Sequence, residues 1–231
     1  MIRTATGYLS LIKNNMKAYR SFLENYPTKS FAKGESILEQ GDTPPHAFIV
    51  KNGFVKTFDI NTNGDSLPLS FDHQYEIIPL AWVFSHTNRA PYFYEAFTDC
   101  ELWCVPREDF IDFLKGNANS QFLIFDFFVK RYLLTMQMKM LSLEQAKASD
   151  KIMYLLKFFT MRFGGDQNGQ VINIDLPLTQ QDIASSAGIT RETASIELKR
   201  LEKLGIISYQ RQEYSVVLAK LTETIENGLD A

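Results

Sequence analysis

Between residues 117 and 145 the apolar positions Phe122, Phe125, Val129, Tyr132, Met136, Met140 and Leu143 recur at steps of three and four, the period of an α-helix. A helix of about 28 residues is ~42 Å long at 1.5 Å per residue. That is longer than a small domain is wide, so part of the seam needs a partner outside a single core. One reading packs the seam on the domain that precedes it. In the preferred one Phe127 and Phe128 broaden the apolar face, so that one side covers that domain while the other, with Phe125, Val129, Tyr132, Met136 and Met140, meets a second copy of the chain in a homodimer.

On either side of this rod the chain changes character. Residues 29–115 read as β-rich: Phe31 to Ile37, Ala47 to Val50, Phe54 to Phe58 and Tyr92 to Val105 are short apolar or alternating segments, separated by turn signals at Gly34, Gly41-Asp42, Asn52-Gly53 and Asn63-Gly64. Many short strands in this order predict a sandwich, roll or barrel. Ahead of them Thr6 to Tyr26 carries a helical pattern that Pro27 ends. After the rod, Lys147 to Asp150 interrupts the periodicity and Asp150 is placed to cap a helix over Lys151 to Phe163 with Ile152, Leu155, Leu156, Phe159 and Phe163 inward. Gly164-Gly165 closes that helix and Val171 to Leu176 alternates like a strand.

The sharpest local signal is Leu178 to Ile207, which reads as helix, tight turn, helix. Thr179 caps the first helix, Ala184 admits a close neighbour, Gly188 suits the turn, Thr190 caps the second helix and Gly205 ends it. Ile183, Ala187, Ile189, Ala194, Leu198 and Leu201 form the shared core, which leaves Arg191, Glu192, Ser195 and Lys199 facing outward. Long donors for guanine edges, a carboxylate for a cytosine amino group and short polar groups for phosphate are what a reader of the DNA major groove requires. Ile206 to Tyr209, a polar turn and Tyr214 to Leu218 predict a hairpin beside it, with Arg211 at the tip in reach of phosphate.

Charge limits what such a face can do. The chain of 231 residues carries 24 Lys and Arg against 27 Asp and Glu, a net of −3, so nucleic-acid contact must be local. Within 190–203, Arg191, Lys199, Arg200 and Lys203 stand against Glu192, Glu197 and Glu202, a net of +1. Non-specific affinity is therefore modest, and specific binding depends on dimerisation.

At these residues the chain resembles the cyclic-AMP receptor / fumarate-nitrate reduction regulator (CRP/FNR) family of bacterial transcription factors over roughly residues 20–220. Phe31 to Asp42 and Phe48 to Lys56 are similar to the family's opening strands, and Thr190-Arg-Glu-Thr-Ala-Ser195 to the start of its recognition helix. The resemblance implies an α+β chain with an N-terminal helical segment (1–28), a cyclic-nucleotide-binding-like β-roll (29–116), a dimerisation helix (117–146) and a C-terminal winged helix-turn-helix domain (147–231). It implies a palindromic operator on double-stranded DNA, and RNA polymerase as partner for an activator. The candidate DNA contacts are Thr179, Gln180, Thr190, Arg191, Glu192, Ser195, Ile196, Lys199 and Arg211. By position Arg191 is a phosphate or guanine contact, Glu192 the base-reading carboxylate and Ser195 a backbone or base contact.

Two departures qualify the likeness. Where the family usually has a guanine-reading arginine, this chain has Ile196, which can pack on a thymine methyl but cannot hydrogen-bond guanine, and the next, ordinarily apolar, position is Glu197. The half-site should differ from the family's usual one. The stretch matching the family's phosphate cassette, Tyr75 to Pro91, has Ile78-Pro79 in place of a Gly-Glu pair and Ala90-Pro91 or Arg89-Ala90 in place of Arg-Ser. Pro79 and Pro91 have no N–H to offer a phosphate, so the expected effector is not cyclic AMP. Trp82, Phe84, Tyr92, Phe93, Tyr94 and Phe97 read either as roll core or as the lining of a pocket for an apolar or aromatic small molecule, and Trp82, Arg89, Tyr92 and Tyr94 are the effector-pocket candidates.

Other functions fit the residues less well. Cys100 and Cys104 are two where an iron–sulfur centre needs about four, and His46, His73 and His86 are scattered, whereas a metal-binding cupin enzyme needs clustered histidines with a carboxylate. No enzyme activity, metal or cofactor is expected. A β-roll module that assembles with protein partners and has lost DNA binding is the other alternative, on the strength of Ile196, Glu197 and the low local charge. Low cysteine usage, no signal-like N-terminal run and no ~18-residue apolar span predict a cytoplasmic protein without membrane contact.

Overall fold

The computed structural model describes residues 17–116, 118–168 and 170–227, the side chains at 118–121, 123, 138 and 166–168 excepted. These fall into two compact units divided between Val129 and Lys130. Residues 6–16 of the predicted N-terminal helix lie outside the described residues, and its remainder is α1, Lys17–Leu23.

The first unit holds eight strands: β1 Thr28–Phe31, β2 Ser36–Leu38, β3 Ala47–Asn52, β4 Val55–Ile60, β5 Ser66–Asp72, β6 Ile77–Ile78, β7 Phe93–Ala96 and β8 Cys100–Val105. They pair antiparallel in two four-stranded sheets, ordered β1-β8-β3-β6 and β2-β7-β4-β5. Phe31, Phe48, Val50, Tyr94 and Leu102 share one buried cluster that also takes in Cys100 and Cys104. Both cysteines are free, and burial pushes the Cys100 thiol up to about 11, so it stays protonated at neutral pH. The turn glycines read from the sequence all have positive φ. Gly53 is held hardest: at φ +82° a Cβ would lie 2.3 Å from the Asp99 carbonyl oxygen and 2.7 Å from Cys100 Cβ, so β8 leaves room for hydrogen alone.

The β-rich reading ran too far. Residues 80–83 form a short helix, α2, and Arg107–Gly116 forms α3, which follows Pro106 and carries Glu108 and Asp109 in its first turn. Phe110 and Leu114 of α3 are buried, and Phe113 stacks on Phe22 of α1 at 4.2 Å. Phe110, Phe113 and Leu114 stand at the helical spacing i, i+3, i+4, and the helix closes an aromatic cluster with Tyr19 and Tyr75.

The long helix is α4, Ala118–Glu144, and it contributes residues to both units. Ile124, Phe127 and Phe128 are buried, whereas Phe122, Phe125, Tyr132, Leu133, Met140 and Leu143 are exposed. The second unit continues with α5, Ala148–Phe163, strands β9 Gly164–Asn168 and β10 Val171–Ile174, helices α6 Gln180–Ala187 and α7 Arg191–Lys203, the hairpin β11 Ile207–Gln210 and β12 Glu213–Val217, and α8 Leu218–Asn227. Its sheet runs β11-β12-β10-β9. Asp150 is not the cap of α5. The helix begins at Ala148 after Lys147, which makes no side-chain cap bond, and Asp150 sits inside the first turn, where its carboxylate still favours the helix dipole. The earlier start arises because the Lys151 N–H donates to the Lys147 carbonyl, adding a turn. Every inward residue predicted for α5 is buried.

Candidate nucleic-acid interface

The motif is built from its caps. The Thr179 hydroxyl accepts from the Asp182 N–H, and the Asp182 carboxylate accepts from the Thr179 N–H, a reciprocal box that satisfies two helix-end donors. Gly188, at φ +64° and ψ +43°, ends α6 in the left-handed conformation that costs glycine nothing, and the Ile189 N–H returns to the Ala184 carbonyl. One residue later Thr190 opens α7 by accepting from the Thr193 N–H. Ile183, Ala184, Ala187, Ala194, Leu198 and Leu201 are fully buried between the helices, and Ile189 is half-buried. The small side chains bring α6 close to α7, while α5 packs against both.

With that core fixed, the other side of α7 faces solvent. Arg191, Glu192, Ile196 and Lys199 are exposed and Ser195 is half-buried. Glu197 is turned back instead, its side chain 19% exposed with a carboxylate oxygen 4.0 Å from the Arg200 guanidinium. Thr179 and Thr190 are occupied as caps, so what the start of each helix offers outward is chiefly backbone N–H. Gln180 is half-buried and bonded to the Tyr209 phenol of β11, which ties the hairpin to the start of α6. The sequence reading missed Gln181, exposed one residue later and bonded to Ser185 at 3.0 Å. Its i, i+4 relation to Ser185 was legible.

The hairpin forms as predicted. Tyr209 and Tyr214 stack at 5.2 Å, Gln210 pairs with Glu213, and Arg211 stands exposed at the tip with φ +56°. Burial pushes both phenols up, with a further push on Tyr209 from Glu202, so both remain neutral near pH 7.

The effector-pocket candidates differ in burial. Tyr94 belongs to the buried cluster of the roll. Trp82 is half-buried with the Arg107 guanidinium over its ring, and Tyr92 is exposed at its place before β7. Arg89 lies at the surface, where its guanidinium donates to the Gly41 carbonyl at 2.8 Å. Ile78 and Ala90, the cassette positions, are buried in the roll.

Comparison with known proteins matches residues 28–117 to the cyclic nucleotide-binding domain and residues 152–222 to the Crp-like helix-turn-helix domain. Together the two matches take in well over half of the chain. The chain belongs to the CRP/FNR family. Among its relatives is the transcriptional activator protein FnrA of Stutzerimonas stutzeri, 23% identical over 211 residues that span 90% of this chain and 83% of that one. The global nitrogen regulator of Nostoc sp. is 25% identical over 81% of this chain and 84% of its own length. In fold, a CooA mutant from Carboxydothermus hydrogenoformans superposes with a TM-score of 0.73 at 20% identity, covering 93% of this chain and 94% of that one. The CRP/FNR chain described here is thus a transcriptional regulator with a helix-turn-helix DNA-binding domain. Among the described residues no helix is long and apolar enough to cross a membrane, and no three metal-binding side chains cluster.

Proposed function

We propose that the protein is a homodimeric regulator that reads a palindromic operator with the exposed face of α7, Arg191, Glu192, Ser195, Ile196 and Lys199, supported on phosphate by Arg211 and the starts of α6 and α7. The observation that carries this reading is that the polar side of α7 stays in solvent while its apolar side is consumed by α6 and α5. A helix packed in that way has nothing else in its own unit to read. The apolar stripe of α4 supports pairing through Phe125, Val129, Tyr132, Met136 and Met140. Two-fold pairing presents the same helix twice to DNA and makes the operator palindromic.

Any small-molecule effector of this chain is one other than a cyclic nucleotide. Ile78 and Ala90, at the positions that match the family's cassette, are apolar and buried in the core of the roll, and the Arg89 guanidinium donates to the Gly41 carbonyl. Burying a phosphate among such groups without donors is strongly disfavoured. For a chain acting as an activator, as its relative FnrA is described, the further partner is RNA polymerase.

Titrating the full chain against a pool of labelled genomic duplexes at two salt concentrations tests the reading. Selective binding that weakens with salt is expected, and Glu192→Ala should lose ~1–3 kcal/mol on the selected site and relax preference at one base pair. No binding to any fragment at low salt would overturn it in favour of a module that has lost DNA binding.

A further inference from the structure

We infer that Ile196 is a specificity residue that reads the methyl group of a thymine; this rests on α7 being the DNA-reading helix. Along α7, Glu192, Ile196, Lys199 and Lys203 follow one another at steps of four, three and four and are all exposed, so they line one side. Ile196 is 65% exposed, more than any other large apolar side chain outside α4 among the described residues. A β-branched residue there gains nothing for the fold: it forms helix less readily than the Lys, Glu or Ala that would serve equally, and it buries little. Bracketed by a carboxylate and an ammonium, it stands where side chains reach base edges. In the major groove the apolar group available to it is the thymine C5 methyl. Its single preferred χ1 in a helix means that little rotamer freedom is lost on contact.

The helix also fixes where that thymine lies. Ile196 follows Glu192 by one turn, about 6 Å along the axis, which is one to two base-pair steps at 3.4 Å per base pair. The thymine is therefore one or two steps from the cytosine whose amino group Glu192 accepts. Glu197 does not compete for the position, because its carboxylate is turned toward Arg200.

The test uses the full chain. Bound sequences are selected from randomised duplexes at fixed salt, and each thymine of the selected half-site is then replaced by deoxyuridine, which lacks only the methyl. At one position the wild-type chain should bind about four-fold more weakly per half-site, the equivalent of one buried methylene. Ile196→Ala, at an exposed site that leaves the fold alone, should show no such loss, and Ile196→Arg should turn the preference at that pair to guanine. Selective binding without a deoxyuridine effect at any thymine, or with the same effect in Ile196→Ala, refutes the inference and leaves the regulator intact. Absence of selective, salt-sensitive binding overturns both.

Discussion

Phe125→Glu tests the pairing of α4 at a point where the free chain should notice it little. Phe125 is 62% exposed, and Phe122 and Tyr132 on the same stripe are 70% and 56% exposed. An aromatic side chain carries ~150–250 Å², so these three offer roughly 400 Å² per protomer and twice that per pair. At ~25 cal/mol per Å² the pair would gain about 20 kcal/mol, against ~4–15 kcal/mol for association. The surplus is enough for a dimer at micromolar concentration. Because a two-fold interface uses each residue twice, one substitution removes two rings, about 6 kcal/mol of burial, and sets two carboxylates in the seam. The association constant should fall by a factor of at least ~10⁴. In the free chain the cost is small, since the ring is mostly in water and glutamate is the better helix former. Sedimentation velocity at micromolar concentration should show monomers with unchanged circular dichroism, and operator affinity should drop with them. Val129→Glu should act in the same direction. A Phe125→Glu chain that sediments as a dimer with unaltered DNA binding would refute the seam.

Arg211→Gly removes a side chain from a left-handed position, so stability should hold or rise by up to ~1 kcal/mol while binding weakens on all sequences and the salt slope falls by about one charge per protomer. Lys139 continues the 125–132 row of α4, and burial pushes its ammonium down to about 8 from the usual 10.5. The folded state then binds fewer protons between pH 8 and 10.5, so the Lys139 contribution to thermal stability should increase as pH rises through that window; Lys139→Met should raise Tm at pH 7 and abolish that contribution. Gly53→Ala should lower stability by roughly 2–5 kcal/mol, from the left-handed backbone and the clash with Asp99 and Cys100, whereas Gly34→Ala, with open space around it, should lose only ~1–2 kcal/mol in the same melt.

What could be read from the chain follows the locality of the physics. The helix-turn-helix was legible because its decisive bonds span three to five residues: Thr179 to Asp182, Ile189 to Ala184, Thr190 to Thr193. The turn glycines were legible for the same reason. Helix α3 was missed although Phe110, Phe113 and Leu114 stand at the helical spacing i, i+3, i+4, because the segment is short and the aromatic partners that bury it, Tyr19 and Phe22, are some 90 residues away. How the aromatic cluster of the roll divides between core and surface was not legible, because neighbours on a strand face opposite ways: Tyr94 enters the core while Phe93 stacks on Phe58 across the sheet. Asp150 was misplaced by one turn, since the hydrogen bond that extends α5 is made by backbone, which carries no residue signature.

Charge then decides how such a chain can be specific. Counterion release gives a protein affinity for any duplex in proportion to the phosphates it neutralises. A chain of net −3 whose α7 segment is close to neutral starts with little of it. That is a gain for discrimination, because competing sites are held weakly, but it moves most of the burden of operator affinity onto base contacts worth ~1–3 kcal/mol each. One copy of α7 presents four exposed groups that can make them, Arg191, Glu192, Ile196 and Lys199. A single copy would therefore sit near the weak non-specific range of ~10⁻⁴–10⁻⁶ M, and a second copy on one rigid partner multiplies the contacts without a second association cost. Pairing through α4 is on this account the condition for recognising an operator, and a monomeric variant with intact α7 should bind its selected site little better than any other duplex.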